Sequence, residues 1–233
     1  MFDDFAAAAA YLSEHNVRIV DLKYCNLWGR WRHVTLSVAE FTPSLMTSGV
    51  GFSGRNAGLG ENSGDLVLIP DLSTGFIDPF WDGPVVSFIC NLVNPLNGEA
   101  TPYDPRQVAR RAEAYLHTSR LASHSLWGPE FEFYVFSAVS FENNANTASY
   151  RFDSPEANWP SSSVKPGIPL PVDGGYHAIP PADQLYHLRA SMTARLEEIG
   201  IPVKYHHHET GGPGQNEIEI PMLPLLRPPM QSC

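Results

Sequence analysis

Two stretches, "GPEFEFYVF" at 128–136 and "YHHHETGGPGQNEIEI" at 205–220, constrain the fold most, because each alternates acidic with apolar residues at a period of two. Successive side chains of a strand point to opposite faces of its sheet. Glu130 and Glu132 therefore share one face, about 7 Å apart along the pleat, while Phe131, Phe133 and Val135 take the other. The second stretch reads as two strands joined by "TGGPG", with Glu209 and Glu217 on either side of the turn and able to reach one sheet edge. Two carboxylates on a buried face repel and raise one another's pKa, and a divalent cation removes that conflict. From Glu130 and Glu132 alone, a solvated strand face is an equally good reading. Three successive histidines cannot all point one way: His206 and His208 share a face and His207 takes the opposite one. A zinc site would need further Cys or His at suitable spacing, and none is present. Oxygen donors of this kind suit Mg²⁺ or Mn²⁺.

The rest of the chain falls into two textures. A helix is expected from Asp4 to His15. From Val17 to about Pro95 the pattern is mostly strand-like, with a hairpin turning at Asn26–Gly29 and further strands in "GDLVLIPD" and "PVVSFICNLV". A boundary is expected in "NPLNGEATPYDP", dividing a unit 1–98 from a unit 99–233. Asp104 then caps a helix that has Pro105 in its first position. Residues 137–175 show no period and read as a long loop with at most one short element. A further helix is expected from Pro181 to Gly200, burying Leu185, Leu188, Met192, Leu196 and Ile199.

Composition excludes some classes of function. With 43% hydrophobic and 17% charged residues the chain is globular, and a net charge of −10 argues against general affinity for nucleic acid or anionic lipid. No leader or membrane span is expected. Cys25, Cys90 and Cys233 have no paired spacing. The cytoplasm is the default address.

"GDLVLIPDLSTGFIDPF", "GPEFEF", "GGYHAIPPAD" and "HHHETGGPGQNEIEI" together, in this order and at these separations, resemble the glutamine synthetase family over almost the whole chain. The resemblance implies an α+β fold: an N-terminal β-grasp domain, then the first part of a catalytic domain with an antiparallel sheet, half a barrel and flanking helices. It implies a ligase that uses ATP to convert the γ-carboxyl of glutamate to γ-glutamyl phosphate, which ammonium or another amine then attacks, in a homo-oligomeric ring. Glu130, Glu132, Glu209 and Glu217 match the family's metal-binding glutamates. Glu132, Glu209 and Glu217 would hold the cation nearer glutamate, and Glu130 the one among the ATP phosphates. Lys204 and His207 match positions near the nucleotide.

Two departures alter the expectation. "FSGR" stands where the family has "FDGS", so Ser53 replaces the aspartate that binds and deprotonates ammonium, with Arg55 nearby. A larger amine, as in the γ-glutamylpolyamine synthetase branch, becomes an alternative. The chain is also about half the family's length, and its closing "RPPMQSC" reads as a frame-shifted form of the "RAADA" segment with which relatives continue. A truncated chain, inactive alone or interacting with a complete paralogue, is therefore expected.

Overall fold

The computed structural model describes residues 2–60, 64–159, 167–171 and 173–226. The expectations placed on 228–231 and on Cys233 lie outside the described residues. In chain order the elements are α1 (Phe5–Glu14), β1 (Ile19–Cys25), β2 (Trp31–Ser37), α2 (Leu45–Ser48), β3 (Val50–Ser53), β4 (Asp65–Pro70), β5 (Phe76–Ile77), β6 (Val85–Val93), α3 (Pro105–Thr118), β7 (Leu126–Trp127), β8 (Glu130–Tyr134), β9 (Ala138–Asn143), β10 (Ala148–Asp153), α4 (Tyr186–Glu198), β11 (Tyr205–His208), β12 (Gln215–Glu219) and β13 (Leu223–Pro224). One compact unit comprises the described residues up to Leu126 together with 224–226, and the other runs from Trp127 to Leu223.

The first unit is built on a mixed sheet in the order β2-β1-β6-β4-β3, with β5 also paired to β6. The β1–β6 pair is parallel and its neighbours are antiparallel, the arrangement of a β-grasp sheet. Alternation along β1 sends Val20, Leu22 and Tyr24 to one face, where they meet Phe88 and Leu92 of β6, Leu68 of β4, and Ala8 and Leu12 of α1. Asp4 caps α1 by accepting from the Ala7 amide at 2.8 Å. The hairpin turn is set by Asn26, which is wholly buried and whose Oδ1 accepts from the amides of Trp28 (3.1 Å) and Arg30 (3.0 Å). Gly29, at φ +74°, supplies the left-handed residue that this turn needs.

Asp104 caps α3 through the Arg106 amide at 2.9 Å and also accepts from the Leu92 amide at 3.1 Å. Arg106 pairs with Asp71 at 2.7 Å. These bonds hold α3 in the first unit, on the far side of residue 98.

The second unit contains the antiparallel sheet β11-β12-β8 and the hairpin β9–β10. That hairpin corrects the long loop expected over 137–175. Its strands run in register from Ala138↔Asp153 to Ala148↔Asn143, and Asn144 Oδ1 accepts from the Thr147 amide at 3.0 Å to close the turn. The pattern hid it because almost every residue of both strands is exposed, so neither face is selected to be apolar. The helix expected from Pro181 to Gly200 begins instead at Tyr186 and ends at Glu198, with Ile199 capping it and Gly200 following at φ +79°. Its apolar stripe is only half-buried and Leu188 is exposed; the fully buried side chain is Arg189. Its guanidinium pairs with Asp183 and donates to Asn216 Oδ1 at 2.6 Å and to His206 Nδ1 at 3.3 Å. A buried charge is tolerated when it is fully hydrogen-bonded, and sequence periodicity carries no sign of such a network.

Leu22→Ala is expected to lower unfolding free energy by about 2–5 kcal/mol, the cost of a large-to-small change in a packed core. Leu188→Ala should cost less than about 1 kcal/mol. Urea melts of both variants check this pair, and a larger loss at Leu188 would contradict the burial described here.

Candidate metal centre

The register of three strands loads one sheet face with acids. Across β12 and β8, Glu217 lies opposite Glu132 and Glu219 opposite Glu130; across β11 and β12, His207 lies opposite Glu217 and Tyr205 opposite Glu219. Directly opposed residues project to the same side, so Glu130, Glu132, Glu217, Glu219, His207 and, one step beyond β11, Glu209 share it. The reverse side carries Phe131, Phe133, Ile218, Asn216, His206 and His208.

Two groups of donor atoms converge on the acidic side. In one, His207, Glu209 and Glu217 each offer an atom lying within 4.8 Å of the others; in the second, Glu130, Glu217 and Glu219 do the same. Glu217 belongs to both. His207 stands between the first two acids, with Nδ1 3.6 Å from Glu209 and Nε2 3.6 Å from Glu217. Burial pushes the Glu217 carboxyl above its ordinary value, and the adjoining Glu209, with Glu130 further off, adds to the shift. Glu209, Glu217 and Glu219 are buried, whereas Glu130 and Glu132 are exposed.

Not every acid is equally available. Glu132 accepts from Gln215 Nε2 at 2.8 Å and lies in neither donor group. Lys204 Nζ holds Glu219 Oε1 at 2.7 Å; that bond keeps the Glu219 carboxyl below its usual range and raises the Lys204 ammonium. Ser53 ends β3 in the first unit, opposite Asp65 of β4. Glu219 is the site residue that sequence reasoning passed over, although its signal was present: it follows Glu217 by two in "NEIEI" and must share its face.

The reverse side is held by buried pairs. His208 Nδ1 donates to the Glu209 carbonyl at 2.7 Å, and Nε2 lies 3.0 Å from Glu156 Oε2. Burial acts to lower the His208 pKa, but the bond to Glu156, the charges of Glu156 and Asp183 and the Glu209 carbonyl together outweigh it, and the net shift is upward. Burial likewise acts to raise Glu156, and its bonds from His208, Gln184 and Gly214 outweigh that, leaving it lowered. Glu156 comes from the segment read as loop, and nothing in the sequence marks it.

A hard divalent cation fits the acidic side: the donors are carboxylate oxygens with one imidazole nitrogen, and the crowding that raises Glu217 is what a cation would relieve. Fold and face together define an α+β chain in which a β-grasp unit precedes a carboxylate-faced antiparallel sheet. The family model described as "Glutamine synthetase, beta-Grasp domain" matches residues 16–95, and that described as "Glutamine synthetase, catalytic domain" matches 102–227. Similar curated proteins include the glutamine synthetase of Methylococcus capsulatus, 37% identical over 93% of this chain and 47% of that protein, and the 3-hydroxylaminophenol mutase of Cupriavidus pinatubonensis, 36% identical over 94% and 48%. Among solved structures, the cryo-EM structure of Plasmodium falciparum glutamine synthetase matches with a TM-score of 0.83 at 20% identity, covering 96% of this chain and 45% of that one. The chain belongs to the glutamine synthetase family, a family of ligases. It spans about half the length of the curated relatives it matches. Among the described residues no helix is long and apolar enough to cross a membrane.

Mn²⁺ at a hundredfold its dissociation constant is expected to stabilise the chain by about 2.7 kcal/mol. Glu217→Gln should abolish that gain and, with metal chelated, should melt no lower than the wild-type chain, because it removes a crowded charge. Thermal melts with Mn²⁺ and with chelator give both readings, and an undiminished Mn²⁺ effect in the variant would contradict the site.

Proposed function

We propose that the chain supplies the cation-binding part of a glutamine synthetase-type ligase site. ATP would transfer its γ-phosphoryl group to the γ-carboxylate of glutamate, giving γ-glutamyl phosphate and ADP. Attack by an amine would then release phosphate and form the amide. The observation that carries this reading is the convergence of Glu209, Glu217 and His207, with Glu130 and Glu219 gathered on the other side of Glu217.

Held by Glu209, Glu217, Glu132 and Glu130, Mg²⁺ or Mn²⁺ would neutralise phosphate oxygens and polarise the transferred phosphoryl group. Carboxylates on paired strands give the fixed placement such chemistry needs. Glu132, held through Oε2 by Gln215 Nε2, stands on the same face of the sheet, opposite Glu217. Lys204, held on Glu219, and His207 provide positive and hydrogen-bonding groups suited to a nucleotide phosphate. The division of the chain that accompanies this reading is a β-grasp domain over 1–98 and a partial catalytic domain over 99–233. A homo-oligomer in the cytoplasm fits the same reading.

The amine is the less determined partner. A serine hydroxyl at Ser53 cannot serve as the carboxylate that receives an ammonium proton. In the second unit a cavity of about 370 Å³, lined by Tyr134, Phe136, Phe152, Trp159 and Leu170, adjoins the Gly211–Pro213 turn that follows Glu209. That space has room for an amine larger than ammonium, as in the γ-glutamylpolyamine synthetase alternative.

Assayed alone, the 233-residue chain is expected to release no phosphate in a glutamate- and amine-dependent manner, since it spans about half of its relatives. Joined to the remaining C-terminal part of the Methylococcus capsulatus relative, it should do so, and Glu217→Gln should reduce the rate on the order of 100-fold or more. Comparing ammonium with a polyamine in that chimera identifies the amine. A folded chimera that is inactive with every amine, or one indifferent to Glu217→Gln, would contradict the proposal.

A further inference from the structure

We infer that Glu156 is a positioning residue for the cation centre, acting through the turn between β11 and β12; this deepens the ligase reading and rests on its cation site. The turn "TGGPG" joins Glu209 to Gln215 through three glycines, with Gly212 at φ +149° and Gly214 at φ +86°, and its own closure is the Glu209 amide on the Gln215 carbonyl at 3.0 Å and the Gln215 amide on the Gly212 carbonyl at 3.2 Å. It must nevertheless hold two buried like charges, Glu209 and Glu217, close enough to share one ion. Repulsion between them favours opening the turn, and a tie from outside it adds to the β11–β12 pairing that keeps it closed.

Glu156 is placed to do so. It is wholly buried, and its two oxygens accept from three donors on three segments: Oε2 from the Gly214 amide at 2.8 Å and from His208 Nε2 at 3.0 Å, and Oε1 from the Gln184 amide at 2.8 Å. Gly214 and His208 stand on opposite sides of the turn, so a single carboxylate oxygen bridges its two arms. His208 then passes the constraint on through its Nδ1–H to the carbonyl of Glu209 itself. The adjoining backbone is equally fixed: the Gly214 carbonyl accepts from the Val135 amide at 2.9 Å and from Asn216 Nδ2 at 2.7 Å. A Cβ at Gly214 would lie 2.4 Å from the Val135 carbonyl, so only glycine admits this approach. Among the described residues, the bonds of Glu156 go to Gln184, His208 and Gly214; its effect is to hold the Glu209 and Glu217 backbones at the separation a shared ion requires. Groups that orient metal ligands from behind typically change affinity by about 10–100-fold when removed.

The test is Glu156→Gln in the full 233-residue chain. An amide at this position accepts through one atom only, so turning it either way leaves at least one of the three donors unsatisfied. Mn²⁺ affinity is measured by electron paramagnetic resonance at a temperature where circular dichroism shows wild type and variant equally folded, and amide exchange of Gly214 is followed in parallel. The expected result is Mn²⁺ binding weakened at least about tenfold, with faster Gly214 exchange. A lowered melting temperature with unchanged affinity would make Glu156 merely structural and overturn the inference while leaving the ligase reading intact. Absence of Mn²⁺ binding by the wild-type chain would overturn both. Should Glu156→Gln fail to fold, His208→Asn, which severs the same link from its other end, is read by the same two measurements and the same outcomes.

Discussion

The crowding of carboxylates on one face of a three-stranded sheet is the constraint on which the second unit depends. Glu209, Glu217 and Glu219 are all buried, and Glu130 approaches from the neighbouring strand. Burial and like charge together would drive these groups to protonate or separate. The strands counter this with local partners, Lys204 on Glu219 and Gln215 on Glu132, and with His207 between Glu209 and Glu217. What is left uncompensated is concentrated at Glu217, whose carboxyl is pushed upward. A sheet that concentrates strain at one carboxylate shared by two donor groups is suited to collecting hard cations.

The reverse face answers that strain with neutral and opposite charge. Arg189 pairs with Asp183 and reaches Asn216, the residue before Glu217, while Glu156 braces His208, the residue before Glu209. Each is a buried polar network in which partners are satisfied, and such networks favour one arrangement of the backbone over alternatives. The second unit has few buried apolar side chains, Ile218 and Leu170 among them, so its order rests on these pairs more than the first unit's does. The β-grasp sheet, by contrast, is organised by apolar side chains that α1, β1, β4 and β6 turn toward one shared core.

Legibility in the sequence follows the same division. Short apolar runs bounded by turn residues marked β4 and β6, and period-two alternation of polar and apolar residues exposed β1, β8 and β12. The same rule placed Glu130 and Glu132 together and separated His207 from its two neighbours. The β9–β10 hairpin was hidden because both of its faces meet solvent, and no period distinguishes such strands from loop. Arg189 and Glu156 were hidden for another reason: a buried charge is defined by partners distant in sequence, Asn216 for one and Gly214 for the other. The apolar stripe on α4 misled because it is only half-covered. Family resemblance pointed to Glu130, Glu132, Glu209 and Glu217, of which Glu132 lies in neither donor group, and it did not point to Glu219, which stands with Glu130 and Glu217 in one of them.

The most direct test of this account is an anomalous-difference map from crystals of the chain grown with Mn²⁺. The account predicts a peak coordinated by Glu217 together with Glu209, on the side of the sheet that carries His207. A map with no peak there, or with Mn²⁺ bound only at other surface carboxylates, would contradict it.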